Sequence, residues 1–239
     1  MQDKMKGKPI PKIALVTGGS NGIGQAIVKK LANIGAKVIV ADLQKYEEEE
    51  AGIIFRKCDV SRKEEVADLF LWMQENVGYP DILVLNAGRG IKEKLTEGDP
   101  EKWKSILDIN LMGPLRFIRA FVPKMMEKKI GHVVFISSVS ANQPHPYGGV
   151  YTATKTALEV IAETLRQETF PHLKVTVVSP GIVDTDFFQN QLSGPTSMEE
   201  IGMGSIQAEE IAEDVMYALG KKNGTCINKI TTRPVLQLF

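Results

Sequence analysis

The sequence predicts an α/β protein built on a doubly wound parallel sheet of about seven strands, with helices on both faces. Three observations predict it. Short apolar runs rich in Val and Ile recur along the chain, segments of helix length with capping signals alternate with them, and no repeat or low-complexity linker interrupts the alternation. Strands covered on both faces need such continuous β-branched runs, and strands that alternate with helices join a parallel sheet.

Strands are expected at residues 13–16, 37–41, 53–56, 82–85, 133–136, 175–178 and 226–230. The first runs into a glycine-rich loop and a helix to about Asn33. Ser61-Arg62-Lys63-Glu64 reads as a capping box, serine and glutamate each satisfying a free N–H at the helix start, and opens a helix to about Asn76. Asp99 followed by Pro100 reads as an N-cap with proline in the first turn, opening a helix through Trp103. Residues 103–126 are apolar almost all round. They form either a core helix kinked at Pro114 or one buried on two sides, against the sheet and against a second subunit. A long helix begins at Gly149 and runs to about Thr169, and the charge run at residues 47–50 reads as a solvated face.

Composition narrows the function classes. The 239 residues carry 29 Lys+Arg and 29 Asp+Glu, a formal net charge of zero, with no basic block to face a nucleic acid. Apolar residues make up 43%, enough for a full core in one domain spanning 1–239. No apolar stretch approaches the roughly 18 residues of a membrane span. The polar, lysine-rich residues 1–11 do not read as a secretory signal. Cys58 and Cys226 fit neither a disulfide framework nor a zinc site, so a reducing compartment is expected. The expectation is a cytoplasmic enzyme or ligand-binding module with no metal, nucleic-acid or membrane partner.

The first loop, Thr17-Gly18-Gly19-Ser20-Asn21-Gly22-Ile23-Gly24, points to a phosphorylated ligand. Glycines let backbone approach a ligand closely, and the helix that follows offers free N–H groups and a positive dipole end. Gln25 and Ala26 stand where a P-loop needs Lys and Ser/Thr. Gly18-Gly19-Ser20-Asn21-Gly22 also spells the nucleophile elbow of a hydrolase, but His172, the last histidine, lacks the acid-then-histidine order that reading needs. A dinucleotide fits better, because the second strand ends at Asp42, close to the ~20-residue spacing at which a carboxylate meets ribose hydroxyls. That carboxylate repels a 2′-phosphate, and neither Asn21 nor Leu43 supplies a compensating cation; Lys45 is the nearest. NAD is therefore expected over NADP.

Tyr151 and Lys155 stand at i and i+4 of the helix that begins at Gly149, on one face. A nearby ammonium favours the phenolate and lowers a tyrosine pKa, making the pair able to exchange a proton with an alcohol or carbonyl oxygen. Ser138, just beyond the fifth strand, lies where α/β sheets place chemistry and can stabilise charge developing on the reacting oxygen.

Taken together these motifs resemble the short-chain dehydrogenase/reductase family, in order over nearly the whole chain, which implies a Rossmann-like sheet. Thr17–Gly24 resembles the family's Thr-Gly-x-x-x-Gly-x-Gly loop. The resemblance implies that Gly18, Ser20, Asn21, Gly22, Ile23 and Gly24 bind the cofactor, with Asp42 and Leu43 after the second strand. Asp59-Val60 matches the pair beside the adenine, and Asn86-Ala87-Gly88 matches the Asn-Ala-Gly motif ending the fourth strand. Asn110 corresponds to the tetrad asparagine that holds a water beside the lysine, and Ser138, Tyr151 and Lys155 complete the tetrad. Pro180-Gly181-Ile182-Val183-Asp184-Thr185 matches the Pro-Gly motif, implying that Val183 and Thr185 meet the nicotinamide amide.

The resemblance implies reversible hydride transfer between NAD(H) and a small-molecule secondary alcohol or carbonyl, with Tyr151 as acid/base. It also implies a lid over the substrate at about 186–207 that includes Phe187, Phe188, Leu192, Met198, Ile201 and Met203. Arg89, His145, Pro146 and Tyr147 are candidate pocket residues. The resemblance and the apolar helix suggest a homodimer or homotetramer. Residues 227–234 resemble a branch acting on 3-hydroxy acids such as serine, many of which favour NADP. A silent dinucleotide-binding sensor explains the loop and Asp42 but not the tetrad, and an extended epimerase or dehydratase needs a larger C-terminal region.

Overall fold

The computed structural model describes residues 13–47, 51–194 and 202–238. Residues 1–11, residues 48–50 of the charge run, and Met198 and Ile201 of the expected lid lie outside them.

Seven strands form one sheet: β1 (Ile13–Thr17), β2 (Lys37–Asp42), β3 (Ile53–Lys57), β4 (Ile82–Leu85), β5 (Gly131–Ile136), β6 (Leu173–Pro180) and β7 (Lys229–Thr232). Their order is β3-β2-β1-β4-β5-β6-β7, every neighbour parallel. The period-2 alternation of strand side chains splits the core into two layers. Leu15, Ile39, Leu83, Val133 and Phe135 pack with α2 (Lys63–Asn76), α4 (Gly113–Lys128) and α5 (Gly149–Glu168). Ala14, Val16, Val38, Val40, Val84 and Val134 pack with α1 (Gly22–Asn33) and α6 (Ala208–Leu219). Phe117, Phe121 and Phe135 are fully buried, each contributing about 2–3 kcal/mol by leaving water. The strand order reverses between β1 and β4, so a crevice opens beyond their C-terminal ends, where such sheets bind ligands.

Four local expectations are corrected. The capping box at Ser61 does not form: Arg62 stands at the N-cap of α2 without a side-chain cap bond. Asp59 captures the serine instead, its Oδ1 accepting from Ser61 N at 2.8 Å and Ser61 Oγ at 2.6 Å, while Glu65 accepts from Asp59 N at 2.7 Å. The cap at Asp99 does form, accepting from Glu101 N at 2.9 Å, but its helix, α3 (Pro100–Leu107), runs past Trp103. The long apolar helix is not continuous. A π-helical turn, Asp108–Met112, separates α3 from α4, and Pro114 sits in the first turn of α4 rather than at a kink. β7 lies at Lys229–Thr232 instead of 226–230, because it is a half-exposed edge strand with little apolar content, and the apolar residues before it serve as acceptors for β6 (Thr176 Oγ1 donates to Ile227 O at 2.6 Å).

Candidate active site

The glycine loop is built by steric necessity. Gly18 has φ +63°, and a Cβ there would stand 2.8 Å from Ala87 Cα; a Cβ on Gly24 would stand 2.0 Å from Gly18 O. Neither position admits a side chain, so the loop folds tightly onto the end of β4. Thr17 and Asn86 lock it. Thr17 Oγ1 accepts from Asn86 N at 3.0 Å and Ala87 N at 3.1 Å and donates to Val84 O at 3.3 Å. Asn86 Nδ2 donates to Thr17 O at 3.0 Å and Gly18 O at 2.7 Å. Asn21 caps α1, accepting from Gly22 N at 2.7 Å, and Ile23 packs on the core layer beneath α1.

Around this loop stand most of the other residues expected to hold a dinucleotide. Asp42 accepts from Ser20 N at 2.9 Å and Gln44 N at 3.0 Å, so its carboxylate rims the loop, and Leu43 beside it is 57% exposed. Gly22 meets Thr185 from the far side: a Cβ on Gly22 would be 3.0 Å from Thr185 Cγ2. Asn21 Nδ2 donates to Asp186 at 2.9 Å. Pro180 ends β6, and Gly181 leaves room for Gln237, whose Oε1 accepts from Ile182 N at 3.0 Å. Val183 is buried and bridges to Ile206. Two residues face elsewhere. Asp59 turns its carboxylate onto its own turn, and Val60 belongs to the core, closing against Gly113. The glycine cradle, the helix N-terminus and the Asp42 rim fit a dinucleotide, with phosphates at the glycines and a ribose at the carboxylate.

The tetrad gathers at the C-terminal ends of β4 and β5. Ser138 ends the extended run beyond β5 and caps the 3₁₀ turn Val139–Asn142, its Oγ accepting from Ser140 N at 3.1 Å. Lys155 is buried, its Nζ donating to Ile136 O at 2.9 Å and standing 5.8 Å from the Tyr151 ring centroid. Gly88 separates it from Asn110: a Cβ there would be 3.3 Å from Asn110 Oδ1 and 3.5 Å from Lys155 Nζ. Burial sets the proton affinities. It pushes the Tyr151 phenol up to about 12, partly opposed by a hydrogen bond from Ser138, and pushes the Lys155 ammonium down to about 8. The net shift of Tyr151 is upward, opposite to the expected lowering, because desolvation outweighs the contribution of Ser138. Asn110 is fully buried, and its side-chain amide is engaged by Arg89 N and O and by Thr154 Oγ1.

A family model described as short chain dehydrogenase matches residues 12–195. The chain belongs to the short-chain dehydrogenase family. An oxidoreductase of Staphylococcus saprophyticus is 35% identical over 235 residues, covering 94% of this chain and 97% of that one. A closed form of serine dehydrogenase complexed with NADP+ superposes with a TM-score of 0.87 at 25% identity, covering 95% and 96% of the two chains. An alcohol dehydrogenase of the archaeon Thermococcus sibiricus, complexed with 5-hydroxy-NADP, gives 0.82 at 28%, covering 95% and 97%.

In this short-chain dehydrogenase the segment after β6 already lies across the loop after β4. Leu192 N donates to Gly90 O at 2.9 Å, Lys92 N to Ser193 O at 3.0 Å, and Arg89 Nε and Nη2 to Asn190 O at 3.3 and 3.2 Å. Phe187 packs near Gly90 and leans on Tyr151, ring centroids 5.8 Å apart. A shallow cleft of about 370 Å³ is lined by Lys94, Leu95, His145, Pro146, Tyr147 and Gly149. Three supporting residues escaped the sequence reading. Glu93 accepts from Trp103 Nε1 at 2.8 Å and Asp99 N at 3.1 Å, and a hydrogen bond with Ser193 is the main cause holding its carboxyl below the usual range. Glu159 accepts from Ser137 Oγ at 3.2 Å, Ser179 Oγ at 3.0 Å and Lys229 Nζ at 2.7 Å, tying the ends of β5, β6 and β7 to α5. Its signal was a carboxylate one turn beyond Lys155 on the same helix face; Gln237 offered no signal at all.

Proposed function

We propose that the protein is an NAD-dependent oxidoreductase acting on a secondary alcohol or its carbonyl, with Tyr151 as acid/base. The observation that carries this reading is the placement of Tyr151 one helical turn before the buried Lys155, beside the glycine cradle, with Ser138 holding its proton affinity down against burial. A bound nicotinamide supplies the hydride acceptor or donor, which the protein only positions and polarises. Tyr151 holds the proton at neutral pH, suiting it to give a proton to a carbonyl oxygen and take one back from an alcohol. Ser138 orients that oxygen. Lys155, mostly charged below pH of about 8, places an ammonium beside the phenol and the ribose. Asp42 supports NAD, since a 2′-phosphate would meet its charge.

The same reading makes residues 1–239 one dinucleotide-binding domain in the cytoplasm, with residues 186–207 as its lid, assembling as a homodimer or homotetramer without nucleic-acid or membrane partners. Among the described residues no helix is long and apolar enough to cross a membrane, and no cluster of His, Cys, Asp and Glu suits a metal. A second reading, an NADP-dependent 3-hydroxy acid dehydrogenase, draws support from the likeness to serine dehydrogenase.

The test is a spectrophotometric screen of alcohols, hydroxy acids, sugars and steroids with either cofactor. Tyr151→Phe is expected to bind NADH normally and lose turnover by about 10²–10⁴-fold; near-normal turnover refutes the assignment. Titration is expected to give tighter NAD(H) than NADP(H), with the gap narrowing in Asp42→Ala. Tighter NADP(H) in the parent protein favours the second reading.

A further inference from the structure

Thr154, between Tyr151 and Lys155 on α5, is fully buried and is assigned no part in the chemistry above. Its Oγ1 donates to Tyr151 O at 2.7 Å and meets Asn110 Nδ2 at 3.2 Å. A hydroxyl has one hydrogen, and this one is spent on the Tyr151 carbonyl. The contact with Asn110 therefore runs from the amide N–H to the threonine oxygen. The other amide hydrogen goes to Arg89 O at 2.8 Å, and Asn110 Oδ1 accepts from Arg89 N at 2.8 Å. The side-chain amide thus pairs with the Arg89 backbone as a neighbouring peptide would. Flipping it would set oxygen against oxygen at both Arg89 O and Thr154.

The direction of this relay matters because of what lies between its ends. Gly88 lies between Asn110 Oδ1 and Lys155 Nζ, a Cβ there standing 3.3 Å from the first and 3.5 Å from the second, so the seat of the Asn110 amide places the wall facing Lys155. We propose that Thr154 is a positioning residue: its hydroxyl fixes the Asn110 amide, and through it holds the π-helical turn, the loop after β4 and the Tyr151 turn of α5 in one register. This rests on the reading of Tyr151 as proton carrier.

The test compares Thr154→Val, which keeps the shape and loses the hydroxyl, with Thr154→Ser, which keeps the hydroxyl; Thr154→Ala takes the place of valine should that variant not fold. Deuterium exchange at the Arg89 amide reads the link without turnover, NADH fluorescence reads cofactor binding, and steady-state kinetics separate kcat from KM. Expected for valine are Arg89 exchange faster by about tenfold or more, kcat lower by about tenfold, and cofactor Kd and substrate KM within about twofold. Serine restores exchange and kcat. Unchanged Arg89 exchange in the valine variant overturns the proposal and leaves the functional reading standing. A serine variant as slow as valine also overturns it. Parent protein that binds NADH and turns over nothing sinks both, and that result precedes any variant.

Discussion

The two walls of the crevice are held in different ways. On the cofactor side the glycine contacts are backbone against backbone, with no slack, Gly24 against Gly18 O and Gly18 against Ala87, and the Asn86 and Thr17 side chains stitch the turns together. On the substrate side the segment at 186–194 rests on the loop after β4 through a few strand-like bonds, an exposed arginine and two phenylalanines that meet edge to face. The first wall tolerates one arrangement, whereas the second, the proposed lid, is held by a few bonds that water can replace. A shared cofactor needs a fixed seat and a substrate needs an opening, and the two modes of construction match those needs.

The contrast can be broken most severely at Gly24. Gly24→Ala drives a methyl into Gly18 O, and backbone cannot turn aside as a side chain can. The expected cost is about 3 kcal/mol, seen as a lower Tm and roughly 100-fold weaker NADH binding; an alanine variant that binds normally would show that the seat has slack after all.

Lys155, at the junction of the two walls, gives the next effect, and its sign follows from burial. Its folded value of about 8 lies below the 10.5 of a free lysine. Between those values the unfolded chain binds more protons, so stability rises with pH there. Tyr151, raised to about 12, acts oppositely above pH 10. Lys155→Met removes the buried charge, so it is expected to exceed the parent in stability at pH 7 and to lose that advantage, about 2 kcal/mol, by pH near 10. Denaturant titrations of both proteins across that range measure it; a constant difference contradicts it.

The smallest effect is expected on the substrate wall. Arg89→Ala removes two hydrogen bonds to one carbonyl at the surface, worth about 0.5–1 kcal/mol. It should raise substrate KM about twofold to fivefold and leave NADH binding alone. A change in NADH binding instead would mean that the walls are not independent.

The same contrast explains what the sequence made legible. Backbone-level constraints leave compulsory residues: glycines where no Cβ fits, buried Val and Ile in the central strands, and Tyr and Lys one turn apart. Side-chain opportunism leaves no such trace. Asp59 took Ser61 from the expected capping box because it stands two residues away and reaches both its N–H and its hydroxyl. β7 was misplaced because an edge strand needs few apolar residues to be paired. The π-helical turn is invisible to periodicity because both of its flanks are equally apolar. The Tyr151–Lys155 spacing was readable, but not their proton affinities, since desolvation depends on what the rest of the fold places over them.

A π-helical turn amounts to one surplus residue threaded into an α-helix. Taking that residue out would rewind the segment and rotate everything on one side of it by about 100° relative to the other. Asn110 lies inside the turn, so its bearing on Arg89 and Thr154 is a matter of counting as much as of chemistry. Along residues 100–128 the chain can exchange side chains with some freedom, but it cannot change its length by one without turning the asparagine away from the site.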